Sequence, residues 1–228
     1  MARLIVALGC MAILTLAASW APAEEKAPAE KPAAAPAPAD KEGFRPLFTG
    51  KDIAGWKEEK NKEGHWAAEG GVLKYDGKGS HLWTEESFAD FILKIDWRLP
   101  APGDSGIYLR GNSKSQVNIW TNELGSGEVY GYRTDAKQPE EVRKGVTPRK
   151  KADKPVGEWN SFIITMKGDR LTVVLNGEEV ISSAQLPGVP KTGTLALQHH
   201  GQPMEFRNIA IKVLEAAPAA APRKQGEK

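Results

Sequence analysis

Two neighbouring stretches, SGIYLRG (105–111) and SQVNIWT (115–121), carry polar and aromatic residues at alternate positions. Successive side chains of an extended chain point to opposite faces. Ile107 and Leu109 therefore share one face, and Tyr108 and Arg110 take the other. On the second stretch Val117 and Ile119 turn inward, which leaves Gln116, Asn118 and Trp120 beside Arg110. Planar polar groups next to an indole suit a sugar: its hydroxyls need donors and acceptors, and its C–H face packs on a ring. The competing reading is an ordinary solvated face. TLALQHH (194–200) adds Gln198 and His200 by the same parity. An imidazole titrates near neutrality and can take a proton from carbon or oxygen; alternatively His200 is a strand-end residue bonded to a loop. Glu205 and Arg207 alternate on MEFRNIAIKVL (204–214), either lining the site beside His200 or only aligning strands.

These stretches need rigid strands to hold them. DFILKIDWRL (90–99) alternates, with Phe91, Leu93, Ile95, Trp97 and Leu99 facing one way. NSFIITMKG (160–168) and RLTVVLNG (170–177) read as a hairpin turned at Gly168 and Asp169. EEVISS (178–183) follows Asn176-Gly177, a strong tight-turn signal. With GVLKYD (71–76) and SHLWT (80–84) there are about ten short strands and almost no helical periodicity, which predicts an all-β sandwich or barrel. Residues 121–158 break the pattern. They are rich in Gly, Lys, Pro and Glu but also carry Tyr130, Tyr132 and Arg133. An ordered loop over the site is expected, with Tyr132 and Arg133 contributing to binding and Glu128 as the nearest free carboxylate. Trp56, Trp66 and Trp159 read as core, the Asp-Ser-Gly at 104–106 as a turn, and Lys150, Lys151 and Lys154 as a solvated loop.

The ends have a different character. Residues 1–23 place Arg3 before an apolar run and then small residues, the order of a secretory signal peptide cleaved after Ala23. The run is short for a bilayer span of about 20 residues, so no span is expected once it is removed. Lipoprotein anchoring at Cys10 is disfavoured by the short segment before it. Residues 24–42 hold only Ala, Pro, Glu, Lys and Asp and read as a linker, residues 215–228 as a disordered tail, and 43–214 as one domain. Export to the periplasm or the exterior follows. Cys10 is the only cysteine, so the mature chain is expected to have no disulfide and no thiolate chemistry. The net charge of +2, from 31 basic and 29 acidic residues, offers no basic stripe for nucleic acid. Nothing in the sequence speaks to the oligomeric state.

Five segments together resemble one family: FRPLFTGKDIAGW (44–56), HWAAEGGVLKY (65–75), GDSGIYLRG (103–111), GEWNSFIITMKGDRLTVVLNGEEV (157–180) and LALQHHGQPMEFRNIAIKVL (195–214). The chain is similar to the 3-keto-disaccharide hydrolase domain family. The resemblance implies a two-sheet antiparallel β-sandwich, a concanavalin A-like jelly roll, with a carbohydrate or glycoside site on the concave face. It also implies chemistry on glycosides oxidised at C3. The ketone acidifies the C2 proton, a base removes it, the glycosidic oxygen at C1 leaves, and water adds. Such a site needs a general base and either donors or a divalent metal for the enolate oxygen. His200, Glu128 and Arg110 are the candidates for that chemistry. Many family members carry Glu-x-Gln-x-Asp on the strand that here reads Gln116-Val117-Asn118-Ile119-Trp120. The departure implies either displaced catalytic groups or a non-catalytic, lectin-like carbohydrate-binding module.

Overall fold

The structure, a computed structural model, describes residues 38–215. Residues 1–37 and 216–228, which include the expected signal segment and most of the expected linker, lie outside the described residues. The chain is anchored from Asp40, whose carboxylate accepts the backbone N–H groups of Glu42 (2.8 Å) and Phe44 (2.9 Å). In chain order the strands are β1 (Arg45–Pro46), β2 (Trp56–Lys57), β3 (Trp66–Glu69), β4 (Val72–Tyr75), β5 (Leu82–Phe88), β6 (Phe91–Arg98), β7 (Asp104–Leu109), β8 (Asn112–Trp120), β9 (Asn160–Lys167), β10 (Arg170–Leu175), β11 (Glu178–Gln185), β12 (Gly193–Leu197) and β13 (Met204–Val213). Two short helices, α1 (Tyr130–Arg133) and α2 (Glu140–Gly145), sit between β8 and β9. None of the described helices is long and apolar enough to cross a membrane.

The strands form two sheets in which every pairing is antiparallel. The larger runs β11-β10-β9-β6-β13-β4-β3, with β1 added on β13; the smaller runs β2-β5-β12-β7-β8. The alternation of β6 is kept: Phe91, Leu93, Ile95 and Trp97 are buried and face Phe162, Ile164 and Met166 of β9 within one apolar layer. From the smaller sheet Ile107, Leu109, Val117, Ile119, Leu195 and Leu197 enter the same core. The β10–β11 hairpin turns where expected, at Asn176 and Gly177, both with φ positive (52° and 86°), as a tight type I′ turn requires. The fold is thus the all-β, two-sheet antiparallel sandwich expected from the sequence.

Three local expectations change. The Asp-Ser-Gly at 104–106 is not a turn but the start of β7. The β7–β8 turn is Arg110-Gly111, both at positive φ (53° and 67°). And residues 121–158 do not form a lid. Residues 127–129 pair with the free edge of β8, through Asn118 N–H to the Glu128 carbonyl (2.9 Å) and Gly127 N–H to the Asn118 carbonyl (2.8 Å). The segment then crosses to the β11 side, where the Arg149 N–H donates to the Val180 carbonyl (2.9 Å). On the way Val129, Tyr132, Val142 and Val146 are buried in the core, so the segment is a side wall that joins the edges of the two sheets.

Candidate functional site

Cross-strand partners share a face, and the register therefore defines the outer face of the five-stranded sheet. Trp83 faces Ala196, Ala196 faces Tyr108, and Tyr108 faces Gln116. One row further along, Gly106 faces Asn118, and beyond it Asp104 faces Trp120. The Gln198 N–H donates to the Gly106 carbonyl (2.8 Å), which puts Gln198 in the middle row. Gln116, Asn118, Trp120 and Gln198 thus come together as their parity requires. Although they point away from the core, Gln116, Asn118, Gln198 and Tyr108 are all nearly buried.

Gly106 is what lets the row close. A Cβ built there would lie 2.7 Å from Gln116 Cγ, far inside van der Waals contact. The missing side chain allows Gln116 to lie across β7 and donate to Gln198 Oε1 (2.5 Å) and to the Ser105 carbonyl (3.2 Å). Tyr108 closes the other side, with its ring edge-on to His81 (centroids 5.0 Å apart) and tilted against Trp83 (5.9 Å). Burial pushes the His81 imidazole down from its ordinary value, which favours its neutral form. Its Nδ1 accepts the His199 backbone N–H (2.9 Å), which places the proton on Nε2 as a donor. His199 itself is bonded to the Tyr75 hydroxyl. His200, in contrast, is exposed and near enough to Asp104 for its charge to act there.

Asp104 and Glu128 are the two carboxylates of this face. Burial pushes Asp104 above the usual carboxylate range, and His200 offsets part of that rise. Glu128, on the segment that pairs with Asn118, has no exposed surface. Burial raises it first; its ion pair with Arg133 pulls it down, and the charge of Asp104 raises it again. Asp104 Oδ1, Asn118 Oδ1 and Glu128 Oε1 are all buried without a hydrogen-bond partner. A buried acceptor left unpaired costs about 1–3 kcal/mol, so three together mark a place built for something that brings donors or positive charge. Sugar hydroxyls fit that description. So does a hard divalent cation, which takes oxygen ligands and would supply charge for an enolate oxygen; Asp104, Asn118 and Glu128 are the residues that would hold it. Among the described residues no cluster of three or more His, Cys, Asp or Glu side chains is placed for a metal.

Other expected site residues stand elsewhere. Arg110 belongs to the β7–β8 turn, where strand parity no longer applies. Its buried guanidinium donates to the carbonyls of Ala89 (2.7 Å), Gly168 (2.7 Å) and Pro190 (2.9 Å) and pairs with Asp90 (2.9 Å). It is a structural clamp, about 20 Å along the strand from Asp104 at roughly 3.3 Å per residue. Glu205 and Arg207 do alternate with core residues, but β13 runs through the eight-stranded sheet. There they pair with Arg98 and Asp96 on that sheet's outer face, apart from His200. Trp159 is not core either: it lies between Arg98 (4.8 Å) and Arg207 (4.1 Å) on that same face. Tyr132 is a core residue whose hydroxyl donates to the Pro187 carbonyl (3.2 Å). Arg133 reaches the site through its ion pair with Glu128 and by lying over the ring of Tyr130 (5.5 Å). Trp120 stands edge-on to Tyr130 (5.9 Å) and donates from Nε1 to the Gly125 carbonyl (3.3 Å). Asp104, His81 and Trp83 were not singled out from the sequence. For His81 and Trp83 the signal was present, since both flank the inward Leu82.

The sequence matches the family described as the 3-keto-alpha-glucoside-1,2-lyase-like domain over residues 43–212. A 3-keto-disaccharide hydrolase of Bacteroides thetaiotaomicron is 23% identical over 232 residues, covering 77% of this chain and 80% of the relative. Among solved structures, a candidate glycosyl hydrolase from Parabacteroides distasonis superimposes with a TM-score of 0.60 at 25% identity, covering 76% of this chain and 95% of that one. A Bacillus subtilis carbohydrate-binding module shares the fold at a TM-score of 0.50 and 17% identity, over 69% of this chain and 95% of that one. With the match running from the turn before β1 to Lys212 in β13, the chain belongs to the 3-keto-alpha-glucoside-1,2-lyase-like domain family.

Proposed function

We propose that this protein cleaves 3-keto-glycosides on the outer face of its five-stranded sheet, with Asp104 as the base that removes the C2 proton. The observation that carries the reading is the Asp104–Glu128 pair, two carboxylates held above their ordinary range with one unpartnered oxygen each. A base for a carbon acid works best when its pKa is raised toward the working pH. Burial does that for Asp104, and Glu128 is the less available of the two because Arg133 holds it. The steps need little else. Asp104 takes the C2 proton, the electron pair forms the enolate with the C3 ketone, and the C1–O bond then breaks with departure of the leaving group. Water adds across the resulting double bond. The Nε2–H of half-buried His81 is a donor of the face suited to the sugar's oxygens, and exposed His200 can return a proton to the departing oxygen.

A lectin-like role is the second reading, favoured by the amides of Gln116, Asn118 and Gln198 and by the fold shared with a carbohydrate-binding module. A carboxylate and a histidine within electrostatic reach of each other favour the enzyme. The test is incubation of the purified protein with 3-keto and non-oxidised glucosides, with and without divalent cation. Release of the aglycone is expected from the keto substrates alone. Asp104→Asn should lower kcat by about 10²–10⁴-fold, the usual contribution of a general base. Sugar binding without turnover by the parent protein would leave the lectin-like reading. We further propose export, with cleavage after Ala23; intact Met1 on cytoplasmic protein from the native host would refute it.

A further inference from the structure

We propose that the cavity at the end of the sandwich binds a neutral pyranose ring, the sugar that departs from C1; naming it the departing sugar rests on the function proposed above. The cavity holds about 380 Å³, within the range of about 300–1,000 Å³ found for small-molecule sites. Trp97 and Leu99, at and just beyond the end of β6, line it from within, Pro155 and Val156 from the segment before β9, and Trp120 from the end of β8. Trp120 is also the direct cross-strand partner of Asp104, and such partners lie roughly 5 Å apart. A ligand held at Asp104 therefore borders the indole that borders the cavity, and one disaccharide can occupy both places.

The lining divides into a floor and a rim. The polar groups of the floor are engaged within the protein. Asn160 Oδ1 accepts from the Lys154 N–H and from Asn176 (2.8 Å each), and its Nδ2 donates to the Glu158 carbonyl (3.3 Å). Asp153 accepts the Ser126 N–H with both oxygens (3.1 and 3.0 Å), and Trp120 Nε1 donates to Gly125. What the floor offers a guest is apolar surface and the Trp120 ring. The rim is the reverse. The carboxylates of Glu123 and Glu158 and the ammonium of Lys154 are exposed, with no hydrogen bond or ion pair among the described residues. Asn122 Oδ1 accepts the Gly125 N–H (2.9 Å), which leaves its Nδ2 as a donor. A pyranose matches both parts. Its C–H faces pack on an aromatic ring, and its peripheral hydroxyls each donate and accept, so carboxylates, amide and ammonium all serve them. The lining sets the ammonium groups of Lys151 and Lys154 against the carboxylates of Glu123, Asp153 and Glu158. That balance has no positive excess, which disfavours an acidic sugar.

The departing sugar carries no ketone, so an ordinary methyl glucoside is the probe. The experiment follows the backbone and indole N–H resonances of the full chain during titration with methyl glucoside, and separately with sorbitol, which has the hydroxyls but no ring. The expected result is a shift of the Lys154, Val156 and Glu158 amides and of the Trp120 indole, the last assigned by its loss in Trp120→Phe, with the glucoside and not with sorbitol. Glu158→Ala, and Asn122→Asp, which keeps the Oδ1 acceptor and deletes the Nδ2 donor, should each weaken glucoside binding about three- to tenfold, the contribution of one hydrogen bond. Glu158→Ala should leave the melting temperature unchanged, because the deleted carboxylate has no partner among the described residues. In turnover, both variants should raise KM for a 3-keto-disaccharide by about three- to tenfold more than for methyl 3-keto-glucoside, whose small leaving group does not reach the rim. Equal shifts with sorbitol, glucoside shifts confined to Tyr108, Gln116 and Gln198 on the sheet face, or equal KM changes for both substrates would overturn the proposal. If the parent cleaves neither glycoside, the proposed activity fails while the glucoside titration still decides the cavity.

Discussion

Asp104 sits where its charged form is disfavoured, and that has a consequence for stability that can be measured apart from turnover. Its folded-state pKa is raised, so below the unfolded pKa of an aspartate, about 3.9, both states are protonated and nothing is lost. As the pH rises through the unfolded and then the folded pKa, the unfolded chain releases its proton first and stability falls. Asp104→Asn is therefore expected to melt higher than the parent at pH 7, and the gap should close as the pH drops below 4. Thermal melts across pH 3–8 check this; a variant that melts lower at pH 7 contradicts it. Arg110 gives the opposite pattern. Removing a buried guanidinium that serves Asp90 and three carbonyls leaves those groups unpaired. Arg110→Ala should cost about 3–5 kcal/mol of stability, read by denaturant unfolding. Where the variant still folds, ligand affinity should be little changed.

The β7–β8 hairpin is the element on which the site depends, and Gly106 is its sensitive point. Gly106→Ala should cost about 1–3 kcal/mol, the usual range for overpacking, because the new methyl group collides with Gln116. If that collision is the cause, most of the cost disappears when Gln116→Ala is made as well, and a double-mutant cycle on urea unfolding measures it. An undiminished cost in the Gln116→Ala background would point instead to the backbone. The same hairpin shows what could be read in the sequence. Alternation against Ile107, Val117 and Ile119 placed Gln116, Asn118 and Trp120 on one face, because burying apolar side chains fixes the register. It misplaced Arg110, since the chain leaves the strand at Leu109, and it missed Asp104, since Asp-Ser-Gly is also a turn signal. Glu205 and Arg207 failed for a different reason. Their parity was right, but parity cannot tell which sheet a strand joins; that depends on pairings such as β13 with β6, whose partners Phe206 and Trp97 lie more than a hundred residues apart.

Across the whole molecule, one continuous apolar layer between two sheets carries the fold without any cysteine beyond Cys10. A protein trimmed to residues 40–214, which keeps the Asp40 anchor, is therefore expected to melt within about 2 °C of the full chain, a difference of at most about 1 kcal/mol for a domain of this size; a larger drop would mean that the ends contribute to the core. The wall formed by residues 121–158 also bears on how copies of this protein meet. Edge strands with bare N–H and C=O groups invite pairing with another chain. Here the long edge strand β8 is bonded to residues 127–129, and the outer strand β11 has α2 against it and the Arg149 N–H on Val180. The opposite edges are β2, of two residues, and β3, of four, too short to template much. Growth of either sheet by strand addition is thus blocked on one side and starved on the other, which leaves the protein resistant to edge-to-edge aggregation even at high concentration.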